Sequence, residues 1–537
     1  MRHGAVQRPG RSCGIRRSAM KRIRLWSLFC ILLLALGLTG CGADLNTFTW
    51  RVDAVPVNLD PQLAVSSEDV TAVMHLFRGL MRLDASGEPQ PDAAESWTVS
   101  EDGKVYTFTL KEDLEWVWYR QRNQDYLRAV TAEDYVYGFQ RVFDPETGSP
   151  YADDFSCIAG SEAVRESRAD PSTLGVEAVD ERTVRITLET ADPEFLTKLC
   201  LPGAMPCNRE FFDSTEGSYG LSSSSVMGNG PFYLYNWTSE GLFLRRSSSG
   251  SAINNLRLVL RDPEDTASPA DRVRDGSSGA ELSDTAAEDL AQIAYTSRTW
   301  GLLFNCSGED NPLANVSVRQ ALASAATDAD LTLPSGCEPA QGLIPPSVSY
   351  AGESYRATVG SALFTASDPV PLYQQGMAEL GQTTLRNISI LAPEGSDYTQ
   401  LVGAINARWQ QLFACFFTVR QLPQEEYQAA LASGDYQIAL ASLEPSSSAL
   451  LDLPSRFDGE LAGFSDSGVH AMLTSLQAEP ERVNAQTVLA LEKAILNATP
   501  FAPLYCQQQY LLVDPTVQGL GFSPFGPTVD LTAATRP

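Results

Sequence analysis

The chain has 537 residues, 43% of them hydrophobic, with 39 basic against 66 acidic residues and a formal net charge of −27. Such an excess of acid excludes a nucleic-acid-binding or anionic-lipid-binding surface, because both partners would be repelled. The length exceeds what one hydrophobic core supports, so two or three domains are expected.

Lys21, Arg22 and Arg24 precede an apolar run from Leu25 to Leu38. That run is too short to cross a bilayer core, which takes ~20 residues of helix. A charged start, a short apolar middle and small residues at the end describe a secretory signal peptide spanning residues 1–40, set aside from fold reasoning. Met20, followed by Lys-Arg-Ile-Arg, is a better start for it than Met1, and residues 1–19 read as an upstream mis-start. The run closes on Leu38-Thr39-Gly40-Cys41, which resembles the bacterial lipobox. The resemblance implies cleavage before Cys41 and diacylation of its thiol; the alternative is a plain signal peptide with an incidental cysteine. Two acyl chains make membrane attachment stable, so lipid on Cys41, not a helix, is expected to hold the protein at the extracytoplasmic face of the bacterial cell membrane.

Eight basic and no acidic residues lie in the first forty, so cleavage leaves 31 basic against 66 acidic residues, a net charge near −35. The mature chain should stand off from the membrane on its tether. Seven cysteines follow Cys41, and an odd number leaves at least one unpaired outside the cell. Cys200 and Cys207 bracket "LPGAMP"; they could close a small loop or be buried free thiols.

In chain order, Ser66 and Ser67 open a helix over "EDVTAVMHLFRGLM" with Val70, Val73, Met74, Phe77 and Leu80 on one face. Asp69, three residues after Ser66, completes a capping-box pattern. "KVYTFTL" (104–110) and "RTVRITLE" (182–189) alternate residue by residue and read as half-buried strands. Thr131 with Asp134 opens a second helix, "AEDYVYGFQRVF". "LSSSSVMGNG" (221–230) and "RRSSSGSAINN" (245–255) read as loops or crossover points. From Asn387 the pattern becomes strand, helix, strand, helix, strand: "ISILAP" (388–393), a helix through Leu401, Ile405, Trp409 and Leu412, "FFTVRQL" (416–422), a helix over 424–433, and "YQIALAS" (436–442). That spacing indicates a βαβ lobe with a largely parallel sheet, in an α/β protein of at least two lobes.

Residues for catalysis are scarce. Beyond residue 40 the histidines are His75 and His470, and His75, on a helix close to Phe77, reads as structural. No nucleophile elbow, metal-binding His-Glu-x-x-His helix or phosphate loop occurs. "GNGPFY" (228–233) starts like a dinucleotide-binding glycine fingerprint but lacks the third glycine and runs into Pro231. No cysteine cluster has zinc-ligand spacing. No enzyme, cofactor or metal is expected.

Six segments in order resemble the family 5 extracellular solute-binding proteins, the oligopeptide and dipeptide receptors of ABC importers: "VNLDPQ" (57–62), the long stretch 76–116 from "LFRGLMRLD" to "TFTLKEDLEW", "VTAEDYVYGFQRVFDPETGSPYA" (130–152), "GNGPFYLYNW" (228–237), "NVSVRQALASAATD" (315–328) and "TPFAPLYCQQQYLLVDPTVQGL" (499–520). The resemblance spans Trp50 to Leu531. It implies a three-domain periplasmic-binding-protein-like fold whose lobes close on a central cleft, with domain I at 44–86, 226–299 and 500–537, domain II at 87–225 and domain III at 300–499. It implies a monomer that takes a peptide or related small solute and delivers it to ABC permease subunits, touching the membrane through its lipid only.

Carried over residue by residue, Tyr151 of "GSPYA" faces the ligand, Ser66 and Ser67 precede the first helix in a pocket-lining loop, and Trp300, Tyr505 and Gln507 border the cleft. Each has a structural alternative: Tyr151 and Trp300 as packing, the serines as a helix cap. One departure stands out. Peptide receptors of this family follow the strand near residue 440 with an aspartate that pairs with the peptide's α-amino group; here "YQIALAS" runs directly into Leu443-Glu444-Pro445. Glu444 is the acidic residue that could take its place. The family's Asn-Pro-x-Tyr-Trp segment is also replaced, by "RRSSSGS". The departures leave room for a surface protein that keeps this fold but signals or adheres without transport; a hydrolase is disfavoured by the missing catalytic residues.

Overall fold

The fold is that of a computed structural model, which describes residues 46–84, 88–118, 128–247, 253–308, 310–327, 331–350, 352–364, 368–459, 461–479 and 482–537. The signal segment and Cys41 lie outside the described residues. One sheet of eleven strands runs through the molecule. Its order from one edge is Phe232–Thr238, Gly241–Arg246, Asn255–Leu260, Thr47–Val52, Ala280–Ser283, Phe501–Val513, Ala291–Phe304, Ile438–Leu443, Ser389–Pro393 and Thr418–Leu422, with Cys337–Pro339 also paired to Phe501–Val513. Thr47–Val52 lies parallel to Asn255–Leu260 and buries Phe48, Trp50 and Val52, alternate residues as a strand requires.

The βαβ reading from Asn387 onward holds. Ser389–Pro393 runs parallel to both Thr418–Leu422 and Ile438–Leu443, joined by helices Ser396–Phe413 and Gln424–Ser433. The first of these helices buries Leu401, Ile405 and Trp409 against the sheet, while Leu412 is only half-buried. The Trp409 indole N–H, which burial would otherwise leave unpaired, donates to Leu322 O at 2.9 Å. A separate four-stranded antiparallel sheet, in the order Ala94–Val99, Val105–Leu110, Thr183–Thr187 and Val176–Asp180, contains both strands read from alternation. Helix Ala132–Phe143 covers it, opened by Thr131 N donating to Asp134 Oδ2 at 2.8 Å.

The first helix is shorter than its periodicity predicts. It spans Ser67–Leu76 and stops where Phe77 turns extended, so Phe77 and Leu80 lie beyond it and Val70 and Met74 are only half-buried. The side chain responsible comes from 151 residues later: Asn229 accepts from Arg78 N at 2.9 Å and donates to Arg78 O at 3.1 Å. Half of the expected capping box forms. Ser66 Oγ accepts from Asp69 N at 3.1 Å, but the Asp69 carboxylate takes Val57 N at 2.7 Å and Asn58 N at 3.2 Å.

The glycines flanking Asn229 serve the same turn. A Cβ on Gly228 would lie 2.0 Å from Leu76 O and one on Gly230 2.5 Å from His75 O, so two backbones meet where a side chain cannot fit. The glycine spacing of "GNGPFY" is thus a packing feature. Gly228→Ala is expected to cost about 1–3 kcal/mol or more by overpacking, read as a lowered urea midpoint; an unchanged midpoint would rule out this close approach.

His75 is fully buried on that helix. Its Nδ1 lies 2.7 Å from Thr71 O and Leu531 N donates to its Nε2 at 3.0 Å, so the ring is neutral and fastens the C-terminal segment to the helix. Burial holds its pKa below the usual value of 6.5, with the Asp530 carboxylate pulling it up and the Arg246 guanidinium pushing it down. Below pH 6.5 the unfolded state binds the extra proton first, so His75 should subtract stability as the pH falls through that range. His75→Asn, whose amide can keep the bond to Thr71 O, should show a flatter stability-versus-pH curve between pH 7.5 and 5 than the parent chain; identical slopes would refute the assignment.

The serines of "LSSSSVMGNG" form a turn in which Ser222 Oγ lies 2.9 Å from Ser225 Oγ. Of "RRSSSGSAINN", read as a loop or crossover point, Arg245 and Arg246 end one strand and Asn255 begins the next, and residues 248–252 lie outside the described residues. Cys200 and Cys207 do not close a loop: all seven described cysteines are free thiols, and Cys207 Sγ sits 3.6 Å from Arg141 Nη1. Among the described residues no helix is long and apolar enough to cross a membrane.

Candidate functional site

Two strands longer than the rest, Ala291–Phe304 and Phe501–Val513, join the halves of the large sheet. They pair antiparallel from Ala291↔Val513 to Leu303↔Phe501, and the register breaks between Tyr295 and Arg298 and again between Trp300 and Gly301. Such bulges bend a strand and re-aim its side chains. At the second break a Cβ on Gly301 would meet Ala502 O at 2.4 Å, so glycine admits the close approach.

Between the two breaks the pairing builds rows of side chains across the sheet. Trp300 is opposite Tyr505 on one side and Ser442 on the other. Arg298 is opposite Gln507, which in turn faces Cys337. Residues two apart share a face of a strand, so Arg298, Trp300, Tyr505 and Gln507 point the same way. The Trp300 indole N–H donates to Gln507 Oε1 at 2.9 Å. Its ring stacks on Tyr505 with centroids 6.1 Å apart and planes 13° apart, and Tyr398, at the start of helix Ser396–Phe413, closes over it at 5.2 Å. Trp300 and Tyr505 are buried, at 6% and 1% exposure, and pack into the hydrophobic core beneath the face, so the polar rim of Arg298 and Gln507 is its more open part; burial raises the pKa of the Tyr505 hydroxyl. Arg298 donates from Nε to Glu444, donates from Nη1 to Gln507 Oε1 at 3.4 Å, and lies 3.9 Å from Asp284.

The sequence-derived residues therefore fall into two groups. Trp300, Glu444, Tyr505 and Gln507 come together around Arg298. Ser66, Ser67 and Tyr151 form the other group. Ser66 caps the first helix, and Ser67 Oγ donates to Glu68 Oε2 at 3.0 Å while its carbonyl accepts from Thr71 Oγ1 at 2.6 Å. Tyr151 is 8% exposed; its hydroxyl donates to Ala64 O and its ring packs on Gly203. Ser149 Oγ, two residues earlier, donates to Gln62 O at 2.6 Å, so Ser-Pro-Tyr clasps the loop leading to Ser66. Val57 and Val65, at either end of that loop, are among the most exposed large apolar side chains described.

Arg298 and Tyr398 were not singled out from sequence. Arg298 had a signal, since Arg-x-Trp in a strand puts both side chains on one face; Tyr398 had none. No three His, Cys, Asp or Glu side chains among the described residues come together as a metal site would need.

Residues 88–458 match the middle region of the bacterial extracellular solute-binding proteins, family 5. The chain belongs to that family. Among the curated relatives of this family 5 protein, the dipeptide-binding protein DppE of Bacillus subtilis is 25% identical over 96% of this chain and all of its own length. The probable deoxycholate-binding periplasmic protein YgiS of Escherichia coli is also 25% identical, over 89% of this chain and 91% of its own. Among solved structures, Listeria monocytogenes OppA bound to peptide superposes with a TM-score of 0.68 at 21% identity, covering 91% of this chain and 99% of that one. The fold is the multi-domain α/β architecture of these solute-binding proteins, as the six sequence segments implied.

Proposed function

We propose that this family 5 protein is a lipid-anchored receptor that binds a peptide or related small solute and hands it to an ABC permease. The observation that carries this reading is the aromatic and polar face of Trp300, Tyr505, Gln507 and Arg298, built where the two long strands pass from one half of the sheet to the other. A ligand touching Tyr505 and Gln507 on one side and Tyr398 and Glu444 on the other would contact two lobes at once, and such a ligand favours the closed state through its differential affinity. The lobes are taken as 44–86 with 226–299 and 500–537, then 87–225, then 300–499, and the protein as a monomer without catalytic activity.

Native mass spectrometry of the purified protein should find a solute retained in the cleft, and adding the recovered solute should reduce the radius of gyration in small-angle scattering. A bound solute without compaction would exclude closure. Cys41→Ser should release the protein from the membrane or leave an uncut precursor; a cleaved form still held in the membrane would exclude the anchor.

A further inference from the structure

The Arg298–Glu444 pair is asymmetric. Arg298 lies inside a strand paired on both sides, and its side chain keeps 25% of its exposure; Glu444 follows the last residue of strand Ile438–Leu443, precedes Pro445 and keeps 38%. Asp284, the other carboxylate near the guanidinium, is 59% exposed and 3.9 Å away. Gln507 Oε1 is already shared with the Trp300 indole. The guanidinium is thus the fixed, less hydrated partner, and Glu444 the one that can turn to water.

The two possible exchanges have different consequences. A ligand ammonium that took Glu444 would leave a partly desolvated guanidinium with one loose carboxylate, which costs more than leaving the better-hydrated Glu444 unpaired. A ligand carboxylate that took Arg298 would keep the guanidinium paired, in the planar two-bond geometry that arginine offers carboxylates, and would let Glu444 rehydrate. Trp300, on the same face of the strand as Arg298, stacks with Tyr505 and Tyr398, so low-dielectric ring surface flanks one side of the exchange point and strengthens a charge pair formed there.

We propose that Arg298 is a carboxylate-binding residue of the cleft and that Glu444 is its resident counter-ion, displaced when an acidic group of the ligand enters. The proposal rests on the receptor reading above and adds the charge that the receptor selects. The acidic group is the main-chain carboxylate of a peptide or a carboxylate on one of its side chains.

Calorimetry on the purified mature protein with four probes tests it: trialanine, trialanine amide, N-acetyl-trialanine, and Ala-Asp-Ala amide. Trialanine should bind at least tenfold more tightly than its amide, while acetylation should change affinity less than threefold. Ala-Asp-Ala amide identifies the source. Recovery of the trialanine affinity means that a side-chain carboxylate serves; weak binding means that the C-terminal carboxylate is read. The acid-to-amide ratio should fall to near one in Arg298→Gln and return in part in Arg298→Lys. Glu444→Gln, which removes the competing carboxylate, should strengthen trialanine binding. Equal binding of acid and amide by the unaltered protein, which needs no variant to fold, overturns the proposal and leaves the receptor reading intact. So does a ratio that survives Arg298→Gln, or a trialanine preference lost on acetylation and on Glu444→Gln. Binding of none of the four peptides overturns the proposal together with its peptide-receptor premise.

Discussion

Arg141→Met is expected to lower stability by about 3–5 kcal/mol, the usual consequence of removing one partner from a buried ion pair. Arg141, on helix Ala132–Phe143, and Asp60, in the "VNLDPQ" segment, are 5% and 3% exposed and meet through two parallel bonds, Nη1 to Oδ1 at 2.9 Å and Nη2 to Oδ2 at 2.5 Å. The guanidinium also donates to Gln62 Oε1 at 2.6 Å and lies 4.3 Å from the centre of the Phe212 ring. Removing it leaves the Asp60 carboxylate facing a shell built for a cation. The backbone around Asp60 has no slack, since a Cβ on Gly220 would sit 2.3 Å from Asp60 N. Asp60→Asn should fall in the same range, because it strands the buried charge on the arginine side. Guanidinium chloride unfolding at pH 7 measures both. A loss under about 1 kcal/mol for either variant, the magnitude of an exposed pair, would mean that water reaches the pair and that it does not dock the loop.

This pair also explains why some of the structure was legible in the sequence and some was not. Local rules found local structure: Ser66 and Thr131 as caps, alternation in "KVYTFTL", and the strand–helix periodicity from Asn387 onward each need only a few neighbouring residues. Features set by distant partners were invisible. The first helix stops at Leu76 because Asn229 takes the backbone of Arg78, and no window around residue 76 contains that asparagine. Asp60 and Arg141 are 81 residues apart, and a chain with 66 acidic residues offers no way to pick that pair in advance. At the site, Trp300, Glu444, Tyr505 and Gln507 came from family resemblance and do converge. What resemblance missed is that Glu444 already has a partner. Arg298 comes opposite Glu444 and Gln507 only through the register of three strands, of which the central one is bulged.

Glu492→Ala is expected to be as damaging as loss of Arg141, about 3–5 kcal/mol, and to reach the proposed ligand face as well. Glu492, on helix Ala485–Ala498, is completely buried and accepts from four donors: Leu343 N at 2.7 Å, Ile344 N at 3.0 Å, Tyr355 Oη at 3.1 Å, and the Arg356 guanidinium. Those bonds hold residues 342–344 and 355–356 on the helix so closely that a Cβ on Gly342 would lie 2.4 Å from Glu492 Oε1. Between those two stretches, Ser347 Oγ accepts from Thr296 N at 2.7 Å and Ser347 N donates to Thr296 O at 3.0 Å. Thr296 lies in the first register break of the long strand, two residues before Arg298. The carboxylate therefore braces the bulge that aims the site. Glu492→Gln keeps an oxygen for the two backbone amides but loses the charge that makes the bonds strong, and an intermediate loss is expected. Arg356→Met should resemble Glu492→Ala, and the double variant should lose clearly less than the two single losses combined, because neither charge is then left unpaired. Hydrogen exchange should show faster opening at Leu343, Ile344 and Thr296 in Glu492→Ala. Additive losses, or exchange at Thr296 that matches the parent chain, would disconnect the buried pair from the site.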